Sequence, residues 1–170
     1  MVTGWRLACA LPLLALASLV WAEPGATRLL PEKSQIVFVS KQMGVPVEGR
    51  FGKFTAQVAF DPRKPEGGSV TLHIDMGSAS LGVPQSDAEL PKPAWFDTSK
   101  FPQASFKSSA IRSLGGGQFE IVGRLTIKGQ AQDVVVPLSI TPAHGQSVAS
   151  GSLTIQRLAF KVGDGEWSDT

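Results

Sequence analysis

The sequence predicts an all-β chain, with its strands antiparallel and a barrel favoured over a sandwich. Two observations carry this. Short runs alternate apolar and polar residues at hairpin spacing, each with one apolar face. Eighteen glycines and twelve prolines punctuate the runs, and little of the chain has a helical period. The strands are long, and closing them into a barrel removes the unpaired edges an open sheet would leave.

Residues 1–22 read as a secretory signal peptide. Arg6 provides the positive start, Leu7 to Val20 the apolar run, and Val20-Trp21-Ala22 a small-x-small cleavage site before Glu23-Pro24. The run is short for a membrane span. Cys9, the single cysteine, lies inside it, so the exported part has neither disulfide nor thiol chemistry. Residues 23–170 then form one domain. Arg6 is the only charged residue of the first 22, which leaves 15 basic against 14 acidic and no basic block. That argues against nucleic acid as a partner, since a surface that binds its phosphates needs clustered Lys and Arg.

The first strand runs from about Ser34 to Lys41, and Met43 to Val47 interrupts the pattern. A second long strand starts at Gly49 and continues through Phe54, Ala56, Val58 and Phe60 to Asp61-Pro62. Val70, Leu72, Ile74 and Met76 alternate with Ser69, Thr71, His73 and Asp75 in the next. Ser86-Asp87-Ala88-Glu89 resembles a capping box opening one short helical turn. Trp95 to Phe101 crowds three aromatics into a corner that Pro102 ends. From Gln103 a strand places Ala104, Phe106, Ser108 and Ala110 on one side. Gly115-Gly116-Gly117 and Lys128-Gly129-Gln130 turn the chain between strands carrying Phe119, Ile121, Gly123, Leu125 and Ile127, then Val134, Val136, Leu138 and Ile140. A last strand spans about Ser147 to Leu158, with Ala149, Gly151, Leu153 and Ile155 on one side.

No catalytic or metal site emerges. His73 and His144 are far apart, and neither has a second histidine at ligand spacing. Gly77 to Gly82 fails the nucleophile-elbow pattern. The three consecutive glycines are followed by no Lys-Ser/Thr and no helix, as a phosphate loop would require. The aspartates fall mostly in turns, where their side chains bond local backbone. The chain is therefore expected not to be an enzyme.

Gly49-Arg50-Phe51 with Phe54, Phe60-Asp61-Pro62, and Phe96-Asp97-Thr98-Ser99-Lys100-Phe101-Pro102-Gln103-Ala104-Ser105-Phe106 follow one another in a recognisable order. Gly123 to Gly129, Val134 to Leu138 and Gln156-Arg157-Leu158-Ala159-Phe160 continue it. Together these segments resemble the YceI-type, polyisoprenoid-binding family, over roughly Leu29 to Trp167. The resemblance implies an extended lipocalin-like barrel of about eight antiparallel strands in the bacterial periplasm. Its apolar tunnel would hold a long isoprenoid lipid such as a quinone or polyprenyl phosphate, with no cofactor required. Gly163-Asp164-Gly165-Glu166-Trp167 resembles the subgroup that accompanies cytochrome b561-type membrane proteins, which would make such a protein a partner. Family members continue past this point into a closing strand. Here the sequence stops at Thr170, so it is either truncated or forms an open barrel, with a dimer or strand exchange as one way to cover the edge.

Phe38, Met43, Phe51, Phe54, Leu72, Ile74, Phe96, Phe101, Phe106, Phe119, Leu125, Val136 and Leu138 are the expected tunnel lining, with Phe60 as a further interior residue. Met43 and Met76 are flexible enough to adapt to a chain of variable shape. With no tyrosine in the sequence, a polar grip near a mouth falls to Trp95, Lys92, Gln103 or Arg157. The alternative is a barrel with a filled core that serves as an interaction module for a membrane redox protein. An eight-stranded barrel sits at the size where either outcome is possible.

Overall fold

The structure, a computed structural model, describes residues 27–42 and 44–168. The expected signal peptide and Met43 lie outside the described residues. Among the described residues nine strands and one α-helical turn follow in order, with short 3-10 turns between some of them: β1 (Ile36–Gln42), β2 (Val45–Phe51), β3 (Phe54–Ala59), β4 (Ser69–Asp75), β5 (Ala79–Ser80), α1 (Pro84–Asp87), β6 (Gln103–Gly115), β7 (Gln118–Ile127), β8 (Gln130–Ala143) and β9 (Gln146–Gly151). They form two antiparallel sheets, ordered β1-β2-β5 and β3-β4-β6-β7-β8-β9. Among the described residues β1 and β9 each pair on one side only. The result is an open half-barrel rather than a closed ring.

The continuous second strand expected from Gly49 to Phe60 is two strands in different sheets. Gly52 and Lys53 make the switch. Their amides bond to Ser78, at its carbonyl and its hydroxyl respectively, instead of continuing a ladder. Where an interruption is expected up to Val47, the described residues show a turn at Gly44 followed by the start of β2. Pro46 is tolerated there because it pairs with Lys41 of β1, while on the other side β5 reaches only Arg50 and Phe51.

The capping box at Ser86 does not form. The helical turn begins earlier, with Pro84 at its first position, where a missing N–H costs nothing. Asp87 turns back instead, accepting from the Leu81 amide at 2.5 Å and the Ser80 hydroxyl at 2.8 Å.

β6 carries a bulge between Ser108 and Ala110. The extra residue resets the alternation, so Ile111 and not Ala110 occupies the deep inward position, at 2% exposure.

The expected last strand is cut short. Pairing ends at Gly151, the residues from Ser152 to Gln156 are extended without a ladder, and all of β9 is exposed. Leu153 and Ile155 are correspondingly exposed. With no further layer against β9 among the described residues, alternation there does not produce burial.

Candidate functional site: an apolar trough with one packed end

Inward-facing side chains form two adjoining clusters. The first gathers Met76, Leu90, Trp95, Phe96, Ala104, Phe160 and Val162, flanked by Phe51, Ile74 and Leu125. The second gathers Phe106, Ile111, Phe119 and Ile121, flanked by Phe60, Leu72, Leu125, Val136 and Leu138. Leu125 touches both, so the apolar face is continuous along the half-barrel. Register explains the second cluster: Phe119 lies opposite Leu138 and Ile121 opposite Val136.

The two clusters do not bury their surroundings evenly. Along β6 and the first half of β7 the inward residues Phe106, Ile111, Phe119 and Ile121 are buried, while Leu125 and Ile127 further along β7 are half-buried. Along β1 to β4 and β8 the inward residues Phe38, Phe51, Phe54, Leu72, Ile74, Val136 and Leu138 remain half-buried. A filled barrel would bury both sets. Here the β6–β7 wall is packed and the facing walls leave apolar surface open, which makes a trough.

Most of the expected lining residues converge on this trough. Phe38, Phe51 and Phe96 form an aromatic triad, with ring centroids 5.0 Å apart for Phe38–Phe51, 6.0 Å for Phe51–Phe96 and 6.5 Å edge-on for Phe38–Phe96. Phe60 meets Phe119 edge to face at 5.1 Å. Such geometries suit ring quadrupoles. One expected residue lies elsewhere: Phe101 covers the β7–β8 turn, where a Cβ at Gly129 would come within 2.9 Å of its ring. Phe54, opposite inward Ile74, shares that face but packs against the buried residues of neither cluster.

One end of the trough is closed by the aromatic corner and a strap of residues 157–168. The corner is a chain of turns in which Phe96 N donates to Leu90 O and Asp97 N to Lys92 O. Asp97 adopts a left-handed φ of 47° that its short polar side chain tolerates. Its carbonyl takes the amides of Lys100 and Phe101.

Lys128 ties this end together. Its Nζ donates to Pro93 O at 2.6 Å and Lys161 O at 2.5 Å, with Asp164 at 3.8 Å, and the residue is buried. It sits at φ 48° before Gly129 in the two-residue β7–β8 hairpin turn, a place where asparagine is usual. That a lysine stands there is the one signal in the sequence that could have revealed the clamp. Arg157 does similar work within the strap, donating to the carbonyls of Val162, Gly163, Trp167 and Ser168.

Of the residues considered for a polar grip, Arg157 is therefore engaged by the strap and Lys92 by Glu89 at 2.6 Å. Gln103 faces an outer cleft. Trp95 is buried, and its indole nitrogen has no partner.

Two clefts of about 790 and 640 Å³ open beside β3 and β4. Their linings mix polar and apolar residues, with Arg50, Lys53, His73 and Asp75 beside Phe51 and Phe54 in the larger and Thr71 beside Ala56 and Val58 in the smaller. Among the described residues no three His, Cys, Asp or Glu side chains converge as a metal site would require. The carboxyls that depart from ordinary behaviour are Asp61 and Asp133, held low by hydrogen bonds from Arg63 and Arg124 on the outer surface.

A sequence model described as "YceI-like domain" matches residues 28–170. A UPF0312 protein of Vibrio cholerae is 30% identical over 131 residues, covering 75% of this chain and 69% of that protein. The crystal structure of Burkholderia cenocepacia BcnA superposes with a TM-score of 0.79 at 45% identity, covering 82% of this chain and 87% of that one. A Campylobacter jejuni YceI protein shares the fold, with a TM-score of 0.65 at 24% identity over 79% of this chain and 83% of its own.

Proposed function

The chain belongs to the YceI-like family, and from that premise we propose that it is an exported, periplasmic carrier for a long-chain isoprenoid lipid held along the apolar trough. The observation that carries the reading is the uneven burial: one wall is packed, while inward aromatic and aliphatic side chains on five other strands stay half-open. A hydrocarbon tail laid there loses no hydrogen bonds and gains about 0.8 kcal/mol per methylene removed from water. Tight binding therefore needs no strong headgroup contact. The cargo proposed is of the quinone or polyprenyl type, and a cytochrome b561-type membrane protein is a partner that would fit a quinone cargo.

Binding of the lipophilic dye N-phenyl-1-naphthylamine to lipid-free protein tests this directly. A polyprenol should displace the dye, and a short alcohol with the same head should not. Failure of the dye to bind would remove the carrier reading.

A second reading has its own observation. The packed end around Met76, Trp95 and Phe160 is core-like, as it would be in a filled module that docks on a membrane redox protein. Under that reading the protein carries no lipid and catalyses nothing.

A further inference from the structure

We propose that Trp95 Nε1 receives the polar end of the ligand, and that this end is an uncharged oxygen acceptor, a hydroxyl or carbonyl, rather than a phosphate. The assignment rests on the lipid-carrier reading above. Among the described residues Trp95 Nε1 is the buried side-chain polar atom that lacks a hydrogen-bond partner, in a residue only 8% exposed. Buried donors are nearly always satisfied, and leaving one unmade is costly. An acceptor brought by a ligand removes that cost.

The direction of the donor follows from what holds the ring. The Trp95 Cζ3 edge lies against Gly163 of the strap, where a Cβ would come within 3.1 Å of it. The Trp167 ring lies at 5.7 Å. Cζ3 and Nε1 occupy opposite edges of an indole. The N–H therefore faces away from Gly163, on a ring that shares its cluster with inward Ala104 of β6 and flanking Ile74 of β4. Gly163 has φ 65° and no side chain, which lets the strap press on the ring without displacing it.

The charge of the acceptor follows from the neighbours. Lys128 Nζ is committed to two carbonyls with Asp164 beyond them, and Arg157 is committed to strap carbonyls. Asp97, buried at the same corner, adds a carboxylate whose side-chain partners among the described residues are the Ser99 hydroxyl and, at 3.7 Å, Lys100. A single neutral donor in that setting matches a neutral oxygen. A phosphate needs several donors or a bidentate cation.

The test uses the full chain, stripped of lipid, and three C20 isoprenoid probes, geranylgeraniol, the hydrocarbon phytane, and geranylgeranyl phosphate, with phytanol as the saturated alcohol that matches phytane. Geranylgeraniol is expected to bind about five- to tenfold tighter than phytane, the gain of one well-made hydrogen bond. In 15N-tryptophan-labelled protein the Trp95 indole N–H resonance should shift downfield with geranylgeraniol and stay in place with phytane. Trp95→Phe keeps an aromatic ring, though a smaller one, and deletes the donor, and should bring the two affinities together. The labelled wild-type protein gives the answer even if the variant folds poorly.

An N–H resonance that ignores geranylgeraniol overturns the assignment, as does a preference that survives in Trp95→Phe. Tighter binding of geranylgeranyl phosphate than of geranylgeraniol overturns the neutral-head assignment. If all three probes bind alike, the assignment fails and the carrier reading stands. If none binds, both fail.

Discussion

At the scale of single residues the structure depends on two that a composition would not mark out. Lys128 is a buried cation whose hydrogen bonds hold the β7–β8 turn, the corner and the strap in one place. Lys128→Met keeps the aliphatic stem but leaves the Pro93 and Lys161 carbonyls unmet. The expected loss is about 2–3 kcal/mol, read as a lower midpoint in urea denaturation, together with faster tryptic cleavage in the strap. An unchanged midpoint would mean the clamp contributes nothing. Gly123 is the second. It is buried on β7 beneath the Phe106 ring, and a Cβ there would come within 2.6 Å of Phe106 Cζ and 2.5 Å of the Lys107 carbonyl. Backbone cannot yield as a flexible side chain can. Gly123→Ala is expected to cost about 1–3 kcal/mol, again measured by denaturation, with Gly145→Ala as a comparison that meets no neighbouring atom but must adopt φ 76°.

At the scale of elements, β7 and β8 are joined on their outer face by Arg124 and Asp133, directly opposite each other in register. The Arg124 hydrogen bond holds the Asp133 carboxyl below the usual range. A carboxyl lowered on folding stabilises the protein above its unfolded value of about 3.9 and stops doing so as pH falls through the lower folded value. Asp133→Asn should therefore remove a stabilisation that is present at pH 7 and fades as pH falls below about 4, so that the melting temperatures of variant and parent converge in acid, by a small amount because the pair is exposed. A decline as steep in the variant as in the parent would assign acid sensitivity elsewhere. The free strand β9 offers a contrast: Ile155→Ser just beyond it should leave stability within about 0.5 kcal/mol, because Ile155 is already exposed.

These elements also show what the sequence could and could not convey. Hairpin strands such as β4 and β7 were legible because one face is buried and the pleat has a period of two. The bulge at Ser108–Ala110 was not, since a run of small residues carries no phase information and only the reset at Ile111 reveals it. The change of sheet at Gly52 was hidden because the alternation is apolar on both sides of it, while the hydrogen-bond partners change. In the trough, aromatic residues such as Phe38, Phe51 and Phe96 could be foreseen from alternation and the family resemblance. Leu90, Phe160 and Val162 were not, because they reach the core from turns and the strap, where no period announces burial.

At the scale of the whole molecule, the half-barrel divides its work. The packed β6–β7 wall and the closed end supply stability, and the half-open inward faces of β1 to β4 and β8 supply apolar surface for a ligand. The measurement that tests this most directly is mass spectrometry of an organic extract from protein purified out of its native compartment. The account predicts a long-chain isoprenoid, with an uncharged oxygen at its head, at close to one molecule per chain. A folded protein whose extract contains no lipid would contradict it.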